Sequence, residues 1–390
     1  FFIFKIMNNL YFLFGLFFII SCDFSSNPIK SSLNSDEFLS GILKNKEQYE
    51  IQVLFTEINR NKDGEPEFTD FQFQVDEEKY FYPASTIKLP IIVLTLNKIN
   101  ELRLEGIDIN LKSKIKLKSY NKKQKIVIND SITSFQNLIS KVFLTSDNSA
   151  ANILIDFLGY NYFNSKMKKE GYANTYLNHK FSPDQNVNNN WEIQTLKDDI
   201  ISSKDEQIFI KSNNISGLLK GDRTLKDGKV SIGPLDFSYK NRFSLLDMHT
   251  FIKKIIFTEK SNNQNYFNLN VEDYDFLRYW MSRFTYEDNG KKYEDDGIYY
   301  ETYNKFFIHG MDSIAINKNI RVYNKLGEAY GTSTDTAYIK NYTDDIEFFL
   351  SATIYVNDNN VINDNIYEYD EIAIPFLAKL SQSIYNRFLD

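Results

Sequence analysis

The sequence predicts an α/β (α+β) fold, with one antiparallel sheet built from both ends of the chain and a helical lobe between them. Three observations predict it. Near the start, Ile51, Val53, Phe55 and Ile58, then Phe68, Phe71 and Phe73, are spaced for the buried faces of two strands. Near the end, residues 321–327 and 348–356 again read as strands. Between these regions the apolar spacing becomes helical, as in Leu138, Ile139, Val142 and Phe143.

Taken in order, residues 36–44 read as the first folded helix. Residues 49–59 and 67–75 form a hairpin across the turn Asn61-Lys62-Asp63-Gly64. An apolar helix follows, through Ile91, Val93, Leu94 and Leu96. Lys112–Lys125 alternates lysine with Ile115 and Leu117, the pattern of a solvated edge strand. A helix carrying Phe135 to Phe143 stops at Thr145-Ser146-Asp147-Asn148, a capping composition, and another starts at Ala150. Late in the chain come a strand ending in Lys325 and Gly327, a turn at Tyr330-Gly331, a strand over 348–356 and a helix over 367–388.

With 390 residues, 42% of them hydrophobic and 16% aromatic, the chain can bury a core for one large domain or two modest ones. A net charge of −7 and the absence of a long basic run argue against nucleic acid as a partner. Cys22 is the only cysteine, so no internal disulfide forms. His179, His249 and His309 are scattered and lack metal-binding spacing, so neither a metal nor another cofactor is expected.

Residues 11–20 are almost wholly apolar, too short for a comfortable membrane span but suited to a signal-peptide core. Ile19-Ile20-Ser21-Cys22 resembles the lipobox of bacterial lipoproteins. That resemblance implies cleavage before Cys22, lipidation of Cys22, and a bacterial cell-envelope location, periplasmic or surface-facing, with the lipid as the only membrane attachment. Residues 23–35 are polar and read as a tether. The folded domain is expected over 36–390, with insertions near 186–240 and 258–318.

Ser85 and Lys88 stand three apart at the mouth of the apolar helix, after Pro83 and Ala84. Side chains at i and i+3 share a helical face, and a partly desolvated lysine can take a serine proton. The spacing alone is weak evidence: Ser113/Lys116, Ser119/Lys122 and Ser165/Lys168 repeat it without opening such a helix.

Three motifs raise its weight: Ser85-Thr86-Ile87-Lys88, Ser146-Asp147-Asn148 and Lys325-Leu326-Gly327, in this order. Together with the stretches 146–159, 243–248 and 330–339, they resemble the class A β-lactamases and penicillin-binding proteins. The resemblance implies a β-lactamase/transpeptidase-like fold and acyl transfer to a small molecule or peptide with an amide or ester carbonyl. It makes Ser85 the acylated nucleophile and Lys88 its proton acceptor or relay. Ser146 would pass a proton to the leaving nitrogen, helped by Lys325, and Asn148 would orient the substrate amide. The strand carrying Gly327 and Glu328 would bind substrate, with the N–H groups of Ser85 and Glu328 forming the oxyanion hole.

Two departures matter. Leu326 stands where the family has a threonine or serine hydroxyl that helps hold a substrate carboxylate. Ser182, in Phe181-Ser182-Pro183-Asp184-Gln185-Asn186, stands where the family places the glutamate that activates the deacylating water; Asp184 and Glu192 are the candidate replacements. β-Lactam hydrolysis, a slower cell-wall D,D-peptidase or esterase activity, and a binding lipoprotein that has lost catalysis all stay open.

Overall fold

The structure is a computed structural model, and it describes residues 27–120, 127–182, 190–203, 208–258, 266–287, 299–311 and 316–389. The lipobox, Cys22 and the candidate base Asp184 lie outside the described residues.

Two short helices, α1 (Pro28–Leu33) and α2 (Glu37–Lys44), begin the fold, each held by a side-chain cap, Asn27 and Asp36 respectively. Part of the expected tether is therefore folded. Ile29 and Leu33 supply the reason, since both are fully buried on the core behind the sheet. The predicted hairpin is present as β1 (Gln52–Arg60) and β2 (Pro66–Phe73). A 3-10 turn over Ala84–Ile87 leads into α3 (Lys88–Leu104). Every residue of α3 from Lys88 to Asn97 is buried, as expected of a helix that is apolar around its circumference.

The helical lobe continues with β3 (Lys114–Tyr120), β4 (Val127–Ser134), α4 (Phe135–Leu144), α5 (Asn148–Leu158), α6 (Tyr160–Lys169) and β5 (Asn190–Thr195). The lysine-rich strand β3 is not an edge. It lies between β4 and β5, and its alternate residues Ile115 and Leu117 are buried. Pairing on both sides was invisible because β5 comes from the stretch expected to be an insertion. The rest of that stretch forms short strands, β6 (Leu219–Lys220), β7 (Arg223–Lys226), β8 (Lys229–Ile232) and β9 (Leu235–Asp236).

Helix α7 (Leu245–Ile256) starts at the Ser244 cap and packs on the sheet, and α8 (Val271–Met281) packs beside it. His249 of α7 bonds Thr56 at 2.7 Å and Ser351 at 2.9 Å, so it ties the helix to two sheet strands. All three histidines are core or near-core residues, and no metal-binding cluster occurs among the described residues. Trp191 and Trp280 are likewise buried in the core, while Tyr300 is exposed.

The C-terminal part supplies β10 (Ile320–Asn324), β11 (Gly327–Ala329), β12 (Thr332–Asn341), β13 (Ile346–Tyr355) and β14 (Val361–Ile362). The expected single strand over 321–327 is two, separated at Lys325-Leu326, where the Lys325 amine turns back to the Leu326 carbonyl. A π-helical turn (Tyr369–Ala373) then enters α9 (Ile374–Asn386), within the range predicted for the last helix. The main sheet is six-stranded and antiparallel, in the order β10-β12-β13-β1-β2, with β11 pairing β12. Both chain ends build it, as predicted. One face packs on the helical lobe and the other on α1, α2 and α9.

Candidate active site

Ser85 sits in the 3-10 turn, half-buried, just before the first residue of α3. The preceding Ala84 has a φ of 47°, the left-handed region that costs a non-glycine residue about 1 kcal/mol or more. Such strain persists only where the surroundings hold it. Here they include β11. A Cβ on Gly327 would lie 2.6 Å from Ser85 N, 2.7 Å from Pro83 O and 2.7 Å from Thr86 N, so only glycine lets the strand pass this close.

Lys88 follows on the same helical face and is fully buried. Its amine donates to Ser146 O at 2.5 Å and Asn148 Oδ1 at 2.6 Å, with a longer contact to Ser146 Oγ at 3.3 Å. The Phe181 ring lies 4.6 Å away. Burial, and then the nearby Lys325 charge, push the Lys88 amine well below its ordinary range, with Asp147 opposing. A lysine lowered in this way spends more of its time as the neutral amine, the form that can accept a proton, than an ordinary lysine does.

Ser146 lies between α4 and α5 with a φ of 54°. This left-handed turn presents its carbonyl and its hydroxyl to Lys88 together. Asp147 caps α5 through Ala150 N at 2.7 Å, which sets Asn148 at the start of the helix. Lys325 arrives from the opposite side and donates to Ser146 Oγ at 3.1 Å. Burial brings the Lys325 amine down to about 7, against a raising influence from Asp335. The Ser146 hydroxyl thus bridges two lysines whose charged forms are both disfavoured, an arrangement suited to moving a proton.

The direction of the Glu328 N–H follows from the sheet. Lys325 N–H donates to Thr336 O in β12 at 3.3 Å. Alternation then turns the Glu328 N–H away from β12, toward the free edge that abuts Ser85. The structure therefore brings together Ser85, Lys88, Ser146, Asn148, Lys325, Gly327 and the Glu328 backbone. No hydrogen bond of the Ser85 hydroxyl is formed among the described residues.

The loop carrying Ser182 is anchored on α5. Asn152 exchanges two bonds with Phe181, at 2.8 and 2.9 Å, and Asn148 Nδ2 donates to Ser182 O at 3.3 Å. The Ser182 side chain is exposed. Glu192, the other candidate base, sits in β5 opposite Lys118 and accepts from Gln194 at 2.8 Å, which ties it to the three-stranded sheet.

Sequence reasoning missed a buried network behind Lys325. Lys305 Nζ donates to Met281 O and Asn324 Oδ1, each at 2.7 Å. Asn324 Nδ2 reaches both Asp335 oxygens, at 2.8 and 3.1 Å, and Phe307 N donates to Asp335 at 3.2 Å. Burial pushes the Lys305 amine down and the Asp335 carboxyl up, each opposed by the other. The available signals were Asn324 immediately before Lys325 and an acid in the middle of a strand whose one other charged residue is Lys340, near its end.

A family model described as the β-lactamase enzyme family matches residues 36–269. The chain belongs to that family, and its fold and site define it as a β-lactamase-related serine hydrolase of the β-lactamase/penicillin-binding protein superfamily. Among solved structures it is similar to a PBP-A mutant captured as an acyl-enzyme with penicillin G, at TM-score 0.51 and 14% identity over 92% of this chain and 97% of that one. It is also similar to a class A β-lactamase representative from Bacteroides cellulosilyticus (TM-score 0.49, 14% identity, 93% and 98% covered). A β-lactamase from Francisella tularensis gives a TM-score of 0.48 at 15% identity, with 92% and 99% covered. At such identities the likeness concerns the fold. No curated protein matches the chain by sequence.

Proposed function

We propose that the protein is an acyl-transfer hydrolase that works through an acyl-enzyme on Ser85. The observation that carries this reading is the Ser146 hydroxyl shared between Lys88 and Lys325 beside the Ser85 turn. Ser85 Oγ attacks the substrate carbonyl carbon, and its proton passes to the Lys88 lone pair. The oxyanion that forms is held by the N–H groups of Ser85 and Glu328. As the carbon–nitrogen or carbon–oxygen bond breaks, Ser146 hands a proton to the leaving atom and regains one from a lysine. Water then cleaves the ester on Ser85.

The substrate is a β-lactam or a related amide or ester. A specific observation favours a second reading, slow deacylation of the D,D-peptidase or esterase kind. The Ser182 side chain is exposed, the resemblance puts it at the place of the family's water-activating glutamate, and a hydroxyl is a far weaker base at neutral pH. We also propose that Cys22 carries a lipid that holds the protein at the bacterial envelope.

A fluorescent penicillin followed over time tests the chemistry. Lasting label on Ser85 supports acylation with slow release, and transient label with hydrolysed product supports a β-lactamase. Absence of label, together with no turnover of simple esters, sinks the catalytic reading in favour of a binding protein. Label that survives Ser85→Ala refutes the nucleophile. Fatty-acid labelling that fails to depend on Cys22 removes the anchor.

A further inference from the structure

The packing beside the Ser85 turn is completed by an aromatic residue from outside the three motifs. Tyr82, just upstream of Ser85, is buried, and its ring meets the Tyr330 ring edge-on at 5.0 Å. Tyr330 directly follows β11, so this contact joins the turn that carries Ser85 to the strand that carries Gly327 and Glu328. Phe237, the residue after β9, fills the angle between the two rings. Its ring lies 5.8 Å from Tyr82 and 5.3 Å, edge-on, from Tyr330. Phe237 is 1% exposed, and its buried cluster includes the strained Ala84. Tilted and edge-on pairs at these separations are the favourable aromatic arrangement. A ring closed in this way cannot be shrunk without leaving a void that its neighbours feel.

Phe237 belongs to the stretch expected to be an insertion, and the backbone of that stretch is stitched to the approach to Ser85. Ser216 N donates to Glu78 O at 2.7 Å, and Tyr80 N donates to Ser216 O at 2.8 Å. Gly217 runs so close that a Cβ there would lie 2.8 Å from Tyr80 O. Phe237 N donates to Leu218 O at 2.8 Å, where β9 pairs with β6. The chain just beyond Phe237 reaches the loop that carries Ser182. Asn241 Oδ1 accepts from Asn178 N at 2.7 Å and from His179 N at 3.0 Å. The His179 ring lies nearly parallel to that of Tyr82, 6.1 Å away. The Ser85 turn, β11 and the Ser182 loop are thus all packed on this one stretch.

We propose that Phe237 is a positioning residue for acylation: wedged between Tyr82 and Tyr330, it holds the strained Ala84–Ser85 turn in place against β11. The proposal rests on the acyl-transfer reading and gives part of the insertion a role in it. Phe237 acts through the two tyrosines. A φ of 47° at Ala84 persists only while its surroundings hold it. The Gly327 contact lets the strand approach the turn, and the aromatic wedge keeps the two in register. Shrinking the wedge gives Tyr82 room to shift. The turn then relaxes, and Ser85 moves relative to the Glu328 N–H.

Phe237→Leu tests this, because it removes the ring and keeps most of the buried volume. Phe376→Leu, in the core on the other face of the sheet, is the control for general destabilisation. Ile232→Ala, on the exposed strand β8, is the control within the same stretch. With a simple aryl ester, the saturating rate of Ser85 acylation should fall about tenfold in Phe237→Leu, within the roughly 10²-fold that a displacement of about an ångström costs. The ester concentration for half-maximal rate should hardly change, and both controls should acylate at the native rate. An unchanged rate in Phe237→Leu, or an equal loss in Phe376→Leu, overturns the proposal. Amide hydrogen exchange reads the same contact without chemistry. Thr86 N–H bonds Pro83 O at 3.1 Å within the turn. Its exchange should quicken severalfold in Phe237→Leu and in neither control; native exchange there overturns the wedge even if no ester acylates the protein. Faster exchange in a protein that no ester acylates sinks the acyl-transfer reading and leaves the wedge standing.

Discussion

Gly327 lies so close to Ser85 that a single added carbon would come within 2.6 Å of the Ser85 backbone nitrogen. The contact joins the free edge of β11 to the strained turn that carries Ser85, and so sets the spacing between the two N–H groups proposed to hold the oxyanion. Gly327→Ala should keep the fold but lower acylation of Ser85 by about 10²-fold, the usual loss when reacting groups are displaced by around an ångström. Burst-phase labelling together with circular dichroism checks both halves of this expectation.

Lys325 should set the alkaline side of the rate profile. Its amine loses its proton near pH 7, and with it the positive charge that assists transfer through Ser146. Acylation by an uncharged ester should fall above about pH 7. Lys325→Arg keeps the charge at all these values, so the decline should be absent, whatever the loss in absolute rate.

The same depressed amine makes a statement about stability. Between about pH 7 and the ordinary lysine value of 10.5, the unfolded chain binds a proton at residue 325 that the folded chain does not. Folding stability from this group therefore rises with pH across that window and levels off below it. Urea unfolding at pH 7, 8 and 9 should show a slope that diminishes in Lys325→Met.

Asp335 and Lys305 are both buried and linked through Asn324. Removing one partner leaves the other charge uncompensated, so Asp335→Leu should cost about 3–5 kcal/mol in urea unfolding. The double variant with Lys305→Met should recover part of that loss. A double-variant cost equal to the sum of the two single-variant costs would show that the two charges are not coupled.

Ser182 offers a direct test of turnover. The Asn152 and Asn148 contacts hold its backbone on α5 while its side chain stays exposed. Ser182→Glu supplies a general base, a contribution of about 10²-fold or more where the geometry is met. The acyl label on Ser85 should then decay faster, with its rate of formation little changed.

Much of this molecule is readable locally. Alternation of apolar residues marked the hairpin of β1 and β2 and the strand β13, since a strand with one buried face must repeat every second residue. The spacing of Ser85 and Lys88, the turn at Ser146 and the Lys325-Leu326-Gly327 run are short-range patterns, visible without knowing what lies beside them. Leu326 and Ser182 were equally visible as departures.

Other properties depend on neighbours distant in the chain. The lysine-rich β3 became a central strand because residues 190–195 returned to pair with it. Lys305 and Asp335 gained their meaning only when Asn324 came between them. Glu328 was legible as a backbone donor, but the burial of its carboxyl oxygen without a hydrogen-bond partner among the described residues was not. What the sequence determined by itself is the set of elements and reactive groups, because strand, helix and turn preferences act over a few residues. What the tertiary structure alone decided is which groups lose water and which charges face each other, because desolvation and Coulomb interactions depend on distance in space.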